Sequence, residues 1–176
     1  MKYLSCFAAG FLMVMGPQAD AEEQFPPCIP LNETLSICTD IDGLDVAFVG
    51  ATETSAMGIV EPHSIEDITF VWAVYWSIDP SLDEFASVEV QALAKQESEY
   101  ELQDPVSAVI EGFPGIRYDL LRGEGGSREL PPKSLLFLDT GGEIAVLYGE
   151  AHLPDVHAED VFLGVRNAAR ILKKAE

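Results

Sequence analysis

The hydrophobic positions change period along the chain, and the changes mark out the expected elements. Leu35 to Thr39 and Leu44 to Val49 are short β-rich runs separated by Asp40-Ile41-Asp42-Gly43, and an Asp-Gly pair between such runs predicts a hairpin. From Ile68 to Trp76, residues Ile68, Phe70, Trp72, Val74 and Trp76 fall on one face of a strand, and Val71, Ala73 and Tyr75 on the other. Both faces are apolar, which predicts a central strand. Its aromatic residues are read as core rather than as a pocket lining. Ser81, with Glu84 three positions on, forms a capping box. Leu82, Phe85, Val88 or Glu89, and Ala92 or Leu93 then recur at helical spacing to about Glu97.

The second half is read as hairpins. Val106–Glu111, Ile116–Arg122, Lys133–Asp139 and Glu143–Tyr148 are strand-like runs broken by Gly112-Phe113-Pro114-Gly115, by Gly123 to Pro132, and by Thr140-Gly141-Gly142. Ile116, Tyr118 and Leu120 alternate with Arg117, Asp119 and Arg122, which predicts one wet face. A last helix is expected over Val156–Lys174, with Asp155 as N-cap, acids in its first turn and bases in its last. Its inward stripe is Val161, Val165, Ala168 and Leu172, flanked by Phe162 and Ile171. Strands, a helix, four strands and a helix define an α+β class: one antiparallel sheet covered by helices, in a single domain over 35–176.

That order resembles the Mog1/PsbP/DcrB-like group of α/β/α sandwich proteins over about residues 35–174. The residues that carry it are the helix after the apolar strand, the Gly-Phe-Pro-Gly-Ile-Arg-Tyr-Asp-Leu run at 112–120, the strands around Gly141-Gly142 and the closing helix Asp160 to Leu172. The resemblance implies an accessory, assembly or interaction protein with no shared catalytic set, so it assigns no functional residue here.

Ahead of the domain, Lys2, the apolar run Tyr3 to Met15 and Ala19-Asp20-Ala21 have the form of a signal peptide over 1–21, cleaved near Ala21. The run is about 13 residues, short of the roughly 20 that span a bilayer. The expected location is therefore periplasmic or secreted, with no membrane insertion after cleavage. A Pro-rich lead-in covers 22–36. Past the signal only Cys28 and Cys38 remain, and in an oxidising compartment they are expected to form a disulfide. Asn32-Glu33-Thr34 matches a glycosylation sequon.

Charge narrows the classes of partner. The 176-residue chain carries 30 acidic and 10 basic side chains, a formal charge of -20. Such a field repels phosphate, so no nucleic acid partner is expected. Nineteen acids and one base, Lys95, lie in 22–116, whereas 117–176 holds ten acids and eight bases. The expected acidic surface comprises Asp40, Asp42, Asp45, Asp83, Glu84, Glu97, Glu99 and Glu101, and its partner is a basic protein.

Candidate chemistry is sparse. No nucleophile elbow, P-loop, dinucleotide fingerprint or zinc-protease motif occurs. Gly123-Glu124-Gly125-Gly126-Ser127 has no lysine placed for a phosphate and reads as a hairpin loop. His152, Asp155 and His157 could ligate a divalent metal, with His63 as a third imidazole if folding brought it near. A cap, dipole partners and exposed histidines explain the same residues, and no cofactor is expected. The favoured reading is an exported, non-enzymatic accessory or interaction protein with an acidic partner-binding surface. The alternatives are an immunity or inhibitor protein against a basic toxin or hydrolase, a metal-dependent hydrolase, and acidity that only keeps the protein soluble in its habitat. Oligomeric state is not legible.

Overall fold

The chain was analysed as a computed structural model that describes residues 28–31, 35–63, 68–76, 81–97, 99–123, 130–153 and 155–174. The signal peptide and its cleavage site, most of the Pro-rich lead-in, the sequon and residues 124–129 of the glycine-rich loop lie outside them. In chain order the elements are β1 (Cys28–Pro30), β2 (Leu35–Cys38), β3 (Leu44–Ala51), β4 (Ser55–Pro62), β5 (Ile68–Tyr75) and α1 (Leu82–Gln96). There follow β6 (Tyr100–Leu102), β7 (Val106–Ile110), β8 (Phe113–Arg122), β9 (Lys133–Asp139), β10 (Ile144–Ala151), α2 (Ala158–Ala168) and β11 (Leu172–Lys174).

The apolar run at 68–76 does become a central strand. β5 pairs with β4 on one side and β10 on the other, in an antiparallel sheet ordered β3-β4-β5-β10-β9-β8-β6, with β7 also on β8. Its alternation divides the core between the two faces. Phe70, Trp72 and Val74 join Leu136, Leu138, Ala145 and Leu147 beneath Val161 and Val165 of α2. Ala73 and Tyr75 join Leu135, Phe137, Ile144 and Val146 beneath Phe85, Ala86 and Val90 of α1. The result is the expected α+β arrangement, one antiparallel sheet between two helical layers. A small antiparallel sheet, β1-β2-β11, completes the α2 layer through Leu35, Ile37 and Leu172.

Close approach fixes where α2 sits. A Cβ on Gly164 would run into the Phe70 ring, and one on Gly149 would lie 2.6 Å from Val165 Cγ2 and 3.1 Å from Val161 Cγ1. Glycine on both sides of the contact lets helix and sheet meet directly. The β7–β8 turn is Glu111-Gly112, with φ of 53° and 81°, the two-residue form with positive φ that suits hairpin twist. Phe113, Pro114 and Gly115, read from sequence as part of the break, belong to β8.

Three sequence expectations are corrected, and two strands lie outside any of them. The Asp40–Gly43 segment turns, with Leu44 N donating to Ile41 O at 3.0 Å, but it joins two sheets: β2 pairs with β1 and β11, and β3 with β4. β4 went unread because its inward set is Ala56, Gly58, Val60 and Pro62, too small to mark a strand, and β6 was also missed. The last helix does not run over Val156–Lys174. It begins at Ala158 behind an extended His157, not behind Asp155, and ends at Ala168. A 3₁₀ turn follows, and Leu172–Lys174 pairs with β2 instead. Of the polar residues expected on a wet face of β8, Arg122 is exposed, but Arg117 and Asp119 are largely covered. Arg117 and Asp119 are 15% and 12% exposed and joined to each other, Ser134 Oγ donates to Asp119 Oδ1 at 2.8 Å, and Phe162 of α2 stacks 3.9 Å from the guanidinium.

Candidate ligand pocket beneath the first helix

α1 forms where the capping box starts it. The Ser81 side chain accepts from Glu84 N at 3.4 Å, and Asp83 and Glu84 occupy the positive first turn. The inward stripe settles the choice left open in the sequence. Phe85, Ala86, Glu89 and Val90 face the sheet, while Val88 is 59% exposed. A carboxylate is therefore buried where a valine one position earlier is in solvent. Glu89 is 7% exposed, and its Oε2 has no hydrogen-bond partner among the described residues. Burial raises its pKa above the ordinary carboxylate value of 4.5.

Glu89 lines a cavity of about 180 Å³ between α1 and the sheet. Tyr75, Phe85, Leu93, Leu135, Phe137 and Val146 give it an apolar body, and Gln96, Glu97, Tyr148 and Glu150 supply further polar groups. A polar cluster stands at that rim. Lys133, 6% exposed, pairs with Glu97 and lies 3.2 Å from Glu150 Oε1. Its ammonium also sits 4.8 Å from the centre of the Tyr100 ring, and Tyr100 donates to Pro131 O at 2.9 Å. Tyr148 donates to Glu150 Oε2 at 2.7 Å. Burial, then the neighbouring Glu150, pushes the Tyr148 phenol pKa far up, so it acts as a fixed donor. Lys133 is held charged: burial acts to lower its pKa, and the contacts with Glu97 and Glu150 outweigh that. Register accounts for the encounter, since Lys133 and Glu150 are directly opposed on β9 and β10.

The other sequence-derived residues are placed as follows. Cys28 and Cys38 are disulfide-bonded across β1 and β2. Phe70 and Trp72 are core on the α2 face, whereas Tyr75 reaches the cavity. His152, Asp155 and His157 diverge. His152 Nε2 meets Thr69 Oγ1 at 2.8 Å, Asp155 is exposed in a turn, and His157 precedes α2. His152 instead shares a polar surface depression with His63, Asp45 and Glu61, and there His63 Nε2 contacts Asp45 Oδ2 at 2.9 Å. Among the described residues, no group of three His, Cys, Asp or Glu side chains is arranged to hold a metal ion. The acidic residues fall into two groups at opposite ends of the large sheet. Asp40, Asp42 and Asp45 are exposed by β3, and Asp83, Glu84, Glu99 and Glu101 are exposed around α1 and β6. Glu97 is committed to Lys133.

No protein-family model matches the chain, and no curated protein matches it in sequence. Among solved structures it is similar to the solution structure of cyanobacterial PsbP (CyanoP) from Synechocystis sp. PCC 6803. Identity is 10% and the TM-score 0.49, over 90% of this chain and 99% of that one. It is also similar to the crystal structure of LpqN, involved in cell envelope biogenesis of Mycobacterium tuberculosis. Identity there is 12% and the TM-score 0.37, over 78% of this chain and 87% of that one.

Proposed function

We propose that the chain is an exported, non-enzymatic accessory protein that binds a basic protein partner through the carboxylates around α1 and β6. The observation that carries this reading is an uneven commitment of charge. Lys133, Arg117 and Lys173 are each paired with the chain's own carboxylates. Asp83, Glu84, Glu99 and Glu101 are exposed and have no ion pair with a described residue. Carboxylates left in solvent on one end of a sheet attract a basic surface and speed its association. Export is supported by the Cys28–Cys38 disulfide. No helix among the described residues is long and apolar enough to cross a membrane.

The test is capture from extract of the exporting compartment, read by mass spectrometry, with sodium chloride raised from about 0.05 M to about 1 M so that the Debye length falls to about 3 Å. A basic protein should be retained at low salt and released at high salt. A variant carrying Asp83→Asn, Glu84→Gln, Glu99→Gln and Glu101→Gln should lose it, and one carrying Asp40→Asn, Asp42→Asn and Asp45→Asn should keep it. Salt-independent retention, or full capture by the fourfold variant, overturns the reading. An immunity or inhibitor role is the special case in which the captured protein is a toxin or hydrolase that loses activity in the complex.

A further inference from the structure

We infer that the cavity beneath α1 is a binding site for a small organic ammonium ion with an apolar body of about one ring. The inference stands on three observations and is independent of the partner proposed above. The first is the unmatched acceptor: Glu89 lines the cavity, and its buried Oε2 receives no hydrogen bond from a described residue. Buried polar atoms are nearly always paired, and a ligand N–H donor would pair this one. The second is the charge around it. Among the described residues, Glu89, Glu97 and Glu150 bring three carboxyl groups against one base, Lys133, whose ammonium is already taken up by Glu97 and Glu150. An incoming anion finds no free cation among them, whereas an incoming cation meets carboxyl groups. The third is shape. A cavity of about 180 Å³ walled by Tyr75, Phe85, Phe137, Leu93, Leu135 and Val146 is close in size to an engineered cavity of about 150 Å³ that takes benzene. Three of its lining residues, Tyr75, Phe85 and Phe137, are aromatic, the residue type that attracts an ammonium group.

Wild-type protein is titrated calorimetrically with 2-phenylethylammonium, with the neutral isostere 2-phenylethanol and with the anion 3-phenylpropanoate. The ammonium ion should bind, the alcohol at least about tenfold more weakly, since hydrogen bonds to a charged group are worth about 1.5–3 kcal/mol, and the carboxylate not measurably. Glu89→Gln keeps the side-chain shape and should weaken the ammonium ion by about tenfold or more. Leu93→Trp fills the space and should abolish binding. Should Leu93→Trp fail to fold, Glu89→Gln decides alone. Asp83→Asn with Glu84→Gln removes charge outside the cavity and should leave the affinity within about twofold, since exposed charges are well screened. The site is overturned by equal binding of all three probes, by no heat with the ammonium ion at millimolar concentration, or by unchanged affinity in Glu89→Gln.

Discussion

Replacing Glu89 with leucine should make the protein more stable. The carboxyl group is 7% exposed, and one of its oxygens lacks a partner among the described residues. Leaving a buried polar group unsatisfied costs about 1–3 kcal/mol. Leucine has similar bulk, and Phe85, Leu93 and Val146 already line the space it would enter. The expected gain at neutral pH is therefore about 1–3 kcal/mol, or roughly 2–12 °C in Tm for a domain of about 150 residues. The sign of the pH dependence follows from the raised pKa. Above pH 4.5 the folded state holds more protons on Glu89 than the unfolded state does. Wild-type stability on this account falls as pH rises from 4.5 through the folded-state pKa. The leucine side chain of Glu89→Leu does not titrate, so the variant's advantage should widen between pH 4 and pH 8 in thermal melts followed by circular dichroism. An unchanged or lower Tm at pH 7, or a gain identical at both ends of the range, would refute the burial argument.

Three further outcomes test the frame around the pocket. Lys133→Met leaves Glu97 and Glu150 facing each other; because these are 27% and 37% exposed, water tempers the loss to about 1–3 kcal/mol in urea denaturation. Adding Glu97→Gln and Glu150→Gln should recover most of it. Gly164→Val drives a side chain into Phe70 and should cost at least about 2 kcal/mol, whereas Leu163→Val, half exposed next door, should change stability by no more than about 0.5 kcal/mol. Reducing Cys28–Cys38, a separation of ten residues, should cost about 2.5–3 kcal/mol, measured by melts with and without reductant.

What the sequence disclosed follows the range of the interactions involved. β5 is legible because both of its faces are apolar, and α1 because Ser81 and Glu84 mark its start within four residues. Pairing is a longer-range matter. The Asp42-Gly43 turn is local and real, yet whether its flanking strands pair with each other depends on β4 and β11, which compete for them. The tail shows the same competition. Val161, Val165, Ala168 and Leu172 fit a helical stripe and all are buried, but the last of them is buried by strand pairing with Ile37. At the pocket, Phe85 and Glu89 are four apart on one helical face, a signal present in the sequence and left undecided against Val88. Lys133 and Glu150 become neighbours only through register. Counting back from the Gly141-Gly142 turn, with Asp139 opposite Ile144, places Lys133 opposite Glu150, so that contact was recoverable once the hairpin was accepted.

The buried bases also change the meaning of the charge distribution. By sequence the segment 117–176 is nearly neutral, with ten acids and eight bases. Two of those bases, Arg117 and Lys133, are spent in the interior. Arg117 is held by Asp119 on the α2 face, and Lys133 is held by Glu97 and Glu150 on the α1 face. Lys133 thereby neutralises Glu97, an acid contributed by the strongly acidic first part of the chain. Surface charge and segment charge are consequently different quantities here. The acids remaining outside around α1 and β6 are Asp83, Glu84, Glu99 and Glu101, and the exposed bases beside them among the described residues are Lys95 of α1 and Arg122, opposite Tyr100. Within the core the same deficit reappears at smaller scale, as a Glu89 Oε2 that has no hydrogen-bond partner among the described residues. A chain that could have placed Val88 inward and Glu89 outward does the reverse, and a ligand that supplies the missing donor gives that reversal a physical reason.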